Sequence, residues 1–148
     1  MTFHYLDPSA WVKRYFDEAG SAAVAAVFED AQRVACSRLG LVEIAATIAR
    51  KGRDVGLSSA TLDALLSQAY ADFADFEAIS PSDEIVKKAG LLAFARGLRM
   101  GDALHLASAM SLAASEGMAS IVMVSADVEL LAAAAAEGLT VLNPGKTP

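Results

Sequence analysis

A chain of 148 residues, 55% of them hydrophobic, can bury a sizeable core without staples and is expected to fold as one domain over residues 1–148. Its one cysteine, Cys36, rules out an internal disulfide and reads as a small buried hydrophobe, while a net charge of -6 excludes a domain that grips nucleic acid through a broad basic surface. The start carries no basic segment leading into a long apolar one, and no stretch offers about 18 uninterrupted apolar residues, so the expectation is a soluble, cytoplasmic protein with no membrane partner.

Short apolar runs alternate with helical patterns along the chain, which predicts a doubly wound α/β fold: four or five mainly parallel strands flanked by helices. The first strand, 3–6, runs into Asp7-Pro8-Ser9-Ala10, where Pro8 suits a first helical turn, and a helix is expected over 11–16. After the Gly20-Ser21 break a short helix over 22–28 precedes a strand at 33–36. An almost wholly apolar helix over 39–49 contains one ionisable residue, Glu43. Leu62, Leu65, Leu66, Ala69, Tyr70 and Phe73 then follow the three-four spacing of a packing helix. A weaker strand at 76–79 leads into Ser80-Pro81-Ser82-Asp83, read as a cap at Ser80, proline at the first position and an acid at the third, with the helix running to about residue 95. Arg99-Met100-Gly101-Asp102 opens a helix that is apolar around much of its circumference. The apolar strand 121–124, Ser125-Ala126-Asp127, a helix over 128–137 ending at Gly138 and a last strand at 140–142 complete the pattern.

Asp7 and Asp127 each follow an apolar strand and precede a helix, so both should project into the crevice at the carboxyl ends of a parallel sheet. Asp102 begins a helix, and Glu43 lies on a helix that must face the sheet, so all four carboxylates can meet. Four clustered anions raise one another's pKa and lose hydration, and a divalent cation relieves that cost. Hard oxygen ligands favour Mg2+, with Mn2+ as the alternative, and phosphodiester hydrolysis by an ion-activated water is the chemistry such a pocket serves. Each acid also has a simpler explanation: Asp7, Asp102 and Asp127 as helix caps or first-turn acids, and Glu43 as half of a buried ion pair with Arg14 or Arg38.

Ser9 and Ser125 flank the acids and are candidates to orient a carboxylate or a bound water. His105, one turn after Asp102, reads as a packed histidine rather than a base, and Trp11 with Tyr15 as core rather than a stacking platform. Basic residues gather at Lys13 and Arg14, at Arg50, Lys51 and Arg53, and at Arg96 and Arg99; such clusters are commonly solvated helix ends, with substrate phosphates as the functional alternative. No GxGxxG, GxxxxGK[ST] or GxSxG is present, so dinucleotide, P-loop and serine-hydrolase readings lack their loops. An aspartyl-phosphate phosphatase using Asp7 would want a second aspartate two residues on, where Ser9 stands.

Four blocks in order, Tyr5-Leu6-Asp7-Pro8-Ser9-Ala10 with Val12-Lys13-Arg14-Tyr15, Leu41-Val42-Glu43-Ile44-Ala45-Ala46, Leu98 to Ala107 around Asp102, and Val124-Ser125-Ala126-Asp127, resemble the PIN-domain family, in particular its VapC-type toxins. The resemblance implies a ribonuclease with Asp7, Glu43, Asp102 and Asp127 as its acidic quartet, Mg2+ or Mn2+ dependence, an RNA substrate, a VapB-type antitoxin and a homodimer. Gly101 stands where the family generally has a larger residue, and Ser125 where threonine is common. A binding module that has lost catalysis is the reading from another class.

Overall fold

A computed structural model describes residues 1–29 and 33–146. Five strands, β1 (Phe3–Leu6), β2 (Arg33–Ser37), β3 (Glu77–Ile79), β4 (Ile121–Val124) and β5 (Thr140–Leu142), form one sheet in the order β3-β2-β1-β4-β5. Every pairing is parallel, with Phe3 opposite both Arg33 and Ile121.

The pleat sorts alternate strand residues into two cores. Phe3, Tyr5, Ala35, Ile121 and Met123 face α5 (Asp83–Arg96), α6 (Met100–Glu116) and α7 (Val128–Ala136). Leu6, Val34, Cys36 and Val124 face the other layer, built from α1 (Pro8–Trp11), α2 (Ser21–Glu29), α3 (Gly40–Asp54) and α4 (Ser59–Ala74). Burial on both faces explains why the central strands read as continuous apolar runs. Connections from β1 build outward to β2 and β3 over one face, and those into β4 and β5 use the other. The direction therefore reverses between β1 and β4, and the crevice above that pair is where a doubly wound fold admits ligands.

Several ends shift by one residue from the sequence reading, and three differences are larger. The helix expected over 11–16 is α1 followed by a 3-10 turn, Val12–Arg14, with Tyr15 closing it. A tertiary chain holds this turn: Trp11 Nε1 donates to Tyr15 Oη at 2.8 Å, and Tyr15 Oη donates to Asp72 on α4 at 2.7 Å. The cap of α5 is Ser82 rather than Ser80: its hydroxyl accepts from Ile85 N at 3.2 Å, which places Pro81 before the helix. The third, α3, continues to Asp54, with Lys51 and Arg53 in its last turn where the helix dipole favours cations. No helix among the described residues is long and apolar enough to cross a membrane.

Candidate metal centre at the sheet's switch point

Asp7 stands at the carboxyl end of β1 and is fixed on both sides by its backbone. Its N–H donates to Val124 O at 3.0 Å, and its carbonyl accepts from Ala10 N and Trp11 N at 2.9 and 3.0 Å. The side chain is 3% exposed and makes no cap bond to α1, so the capping explanation does not hold for it. Its Oδ2 instead accepts the Ser9 hydroxyl and, at 2.9 Å, the Ser125 hydroxyl. Those serines are themselves held: Ser9 Oγ accepts from Ala126 N and Ser125 Oγ from Asp127 N, both at 3.0 Å. Two hydroxyls thus lace the β1 loop to the β4 loop around one carboxylate oxygen. No hydrogen bond among the described residues uses Asp7 Oδ1.

Asp127 is the cap of α7, its Oδ1 accepting from Glu129 N and Leu130 N at 2.9 and 3.1 Å. Asp102 lies in the first turn of α6, with Arg99 at the cap and no side-chain cap bond. Its pKa is pushed up to about 6, first by partial burial and then by the charges of Asp127 and Asp7. Glu43 falls in the first turn of α3, not its middle, and forms an ion pair with neither Arg14 nor Arg38. Arg14 goes to Asp72 at 2.8 Å and Arg38 to the Ser80 hydroxyl at 3.0 Å. The partner of Glu43 is His105, whose Nε2 lies 2.8 Å from Glu43 Oε1.

Asp7, Glu43, Asp102 and Asp127 line one cleft of about 570 Å³, together with Lys13, Arg50, Lys51 and Arg99. Among the described residues no lysine or arginine forms an ion pair with any of the four acids. Lys13 and Lys51 are instead drawn to the two oxygens of Glu18 and away from the four acids. Donor atoms of Asp7, Glu43 and His105 all lie within 4.8 Å of one another, which brings the Asp7 and Glu43 carboxylates close enough to share one cation, while Asp102 and Asp127 line the same cleft outside that group. An unused oxygen on a buried carboxylate, and an Asp102 that resists ionisation beside other acids, are what a bound hard cation would satisfy.

Of the remaining sequence candidates, Trp11 is fully buried and unavailable for stacking. Arg53 lies outside this cleft, and Arg96 pairs with Glu137 at 3.0 Å. Sequence reasoning did not find the bridge from Glu18 to Lys51, 33 residues on, or the 2.8 Å contact between Tyr5 Oη and His105 Nδ1, 100 residues apart. Gly101 brings bare backbone to the acids: a Cβ there would sit 3.6 Å from Glu43 Oε1, an ordinary contact.

The site resides in a chain whose residues 4–136 match the family model described as PIN domain. Ribonuclease VapC45 of Mycobacterium tuberculosis (strain CDC 1551 / Oshkosh) is 35% identical over 115 residues, 75% of this chain and 77% of that protein. Among solved structures, FitAcB from Neisseria gonorrhoeae superposes with a TM-score of 0.70 at 14% identity, covering 97% of this chain and 98% of its own. A toxin-antitoxin complex from Klebsiella pneumoniae gives 0.65 at 14% identity, with coverage of 97% and 98%. The family match, the five-stranded parallel sheet and the relative covering three quarters of the sequence agree, and the chain belongs to the PIN-domain family, on its VapC-type toxin branch.

Proposed function

We propose that this chain is a divalent-metal-dependent endoribonuclease, the toxin of a toxin–antitoxin pair, formed by a single domain over residues 1–148. The observation that carries the reading is a cleft holding four carboxylates that no lysine or arginine neutralises among the described residues, at the switch point of the sheet. Asp7, Glu43, Asp102 and Asp127 hold the ion, Mg2+ or alternatively Mn2+, and Ser9 and Ser125 orient Asp7. The all-oxygen character of this set suits a hard cation. Such an ion, when bound, polarises a phosphate oxygen and acidifies the attacking water.

The chain's own residues do the rest. Lys13, Arg50, Lys51 and Arg99 line the cleft beside the acids and are placed to receive the phosphates that flank the cut. Asp127, with one oxygen committed to its cap, offers the other to the ion or its water. RNA as substrate rests on the relative named Ribonuclease VapC45, and the antitoxin on the likeness to a toxin-antitoxin complex. Exposed apolar residues on α5 and α6, with Leu91 72%, Phe94 94% and Met100 79% exposed, are of the kind a protein partner covers, and support an antitoxin and a second copy as partners.

The test is cleavage of RNA by the purified protein. Activity is expected with Mg2+ or Mn2+, to vanish with chelator, and to fall about a thousandfold or more in Asp7→Asn and Asp102→Asn, since a metal contact at a phosphoryl centre is worth several kcal/mol. Cleavage that survives chelator and both variants would sink the mechanism.

A further inference from the structure

We propose that Tyr5 and His105 form a buried hydrogen-bonded chain that positions the Glu43 carboxylate for the divalent ion, with neither residue serving as ligand or base. The inference rests on the metal reading above and adds to it the means by which the one acid of the quartet supplied by α3 is aimed.

The chain begins at the backbone of β2. Ser37 N–H donates to Tyr5 Oη at 3.1 Å, so that oxygen is already an acceptor. Tyr5 Oη lies 2.8 Å from His105 Nδ1, and His105 Nε2 lies 2.8 Å from Glu43 Oε1. With a lone pair of Tyr5 Oη taken by Ser37 N–H, the hydroxyl proton of Tyr5 is left to donate to Nδ1. A ring nitrogen that accepts leaves the imidazole proton on the other, so Nε2–H donates to Glu43. The same donor faces Glu43 if the ring carries a second proton. Nε2 then has no lone pair to offer a cation, which separates this arrangement from one in which His105 itself is a ligand.

Position supports the same conclusion. Tyr5 is 0% and His105 1% exposed, so neither reaches substrate, whereas the Glu43 side chain is 41% exposed and opens into the cleft. His105 sits one turn beyond Asp102 on α6, and Tyr5 two residues before Asp7 on β1. One hydrogen-bonded line therefore ties together the three elements that carry Asp7, Asp102 and Glu43. Donors of this kind behind a ligating carboxylate commonly change metal affinity ten- to a hundredfold, on the order seen when they are removed elsewhere.

The experiment uses the full chain with 15N-labelled histidine. In the free protein, ring-nitrogen shifts are expected to place a proton on His105 Nε2, and Tyr5→Phe is expected to redistribute it toward Nδ1. Titration with Mn2+ should show about tenfold weaker binding in Tyr5→Phe and in His105→Leu, and recovery of much of it in His105→Gln, which can still donate to Glu43. Ile48→Val, a core truncation away from this chain, serves as the control for lost stability and should leave Mn2+ affinity unchanged. Three results would overturn the proposal: a bare Nε2 in the free protein, loss of the Nε2 proton on adding Mn2+, or unaltered affinity in Tyr5→Phe. Failure of the wild type to bind Mn2+ would overturn the metal reading, while the proton position, measured without metal, still decides the hydrogen-bonded chain.

Discussion

Asp102 carries the clearest electrostatic signature in the cleft, and its sign has consequences for both stability and activity. Its pKa rises from 3.8 to about 6 on folding, so the fold favours the protonated form. This group's contribution to stability is fully favourable below the unfolded value and is lost as pH rises through about 6. The metal binding proposed for this carboxylate needs the anion and runs the other way. The metal-free protein is therefore expected to gain stability between pH 7.5 and 5 from this group, while Mn2+ affinity falls over the same interval, as calorimetry across that range would show. Asp102→Asn should raise the metal-free protein's stability at pH 7.5 by about 1 kcal/mol, the figure allowing for solvent screening of a partly buried carboxylate. A variant that is more stable yet inactive is the mark of a site that holds uncompensated charge for a ligand. The sequence revealed the acids because each follows a strand or opens a helix. The capping it offered as the simpler explanation holds for Asp127, whose bonds reach two and three residues on, but it did not reveal that Glu43 faces His105, a pairing set by a contact 62 residues apart rather than by local spacing.

Among the elements, α3 is positioned by a close approach that only glycine allows. A Cβ on Gly40 would fall 2.5 Å from Cys36 Sγ and 3.8 Å from His105 Cε1. The bare backbone lets the amino end of α3 rest on β2, within reach of the Glu43–His105 contact. Gly40→Ala is expected to destabilise the fold by about 1–3 kcal/mol through overpacking and to weaken Mn2+ binding as Glu43 moves away. Adding Cys36→Ala should recover part of both, which thermal melts and a metal titration of the double variant would check. The sequence pattern located α2 to α7, yet it set the first helix over 11–16 and could not show that α1 ends at Trp11 and gives way to a 3-10 turn. That ending is imposed by Trp11, Tyr15 and Asp72, and Asp72 lies 57 residues beyond Tyr15.

For the whole molecule, the net charge of -6 and a basic rim of Lys13, Arg50, Lys51 and Arg99 make nucleic-acid affinity a local matter. Lys13 and Lys51 already share Glu18, so they release fewer counterions than free cations would. RNA binding by Asp102→Asn, which keeps the rim intact, should weaken with salt at a logarithmic slope between about -1 and -3, far shallower than for a protein with a broad basic face. Binding isotherms at several salt concentrations would measure it, and a slope steeper than about -5 would place the contact surface elsewhere. The order β3-β2-β1-β4-β5 sets one more condition, which concerns how the protein is made. Asp7 is made well before β4, and one of the two hydroxyls that orient its carboxylate belongs to Ser125, 118 residues later. β1 lies between β2 and β4, so a nascent chain that has not yet extruded β4 has neither the switch-point crevice nor a fixed Asp7. The centre is thus assembled only once β4 and Ser125 have been made, and any shorter nascent chain carries Asp7 without the partners that orient it.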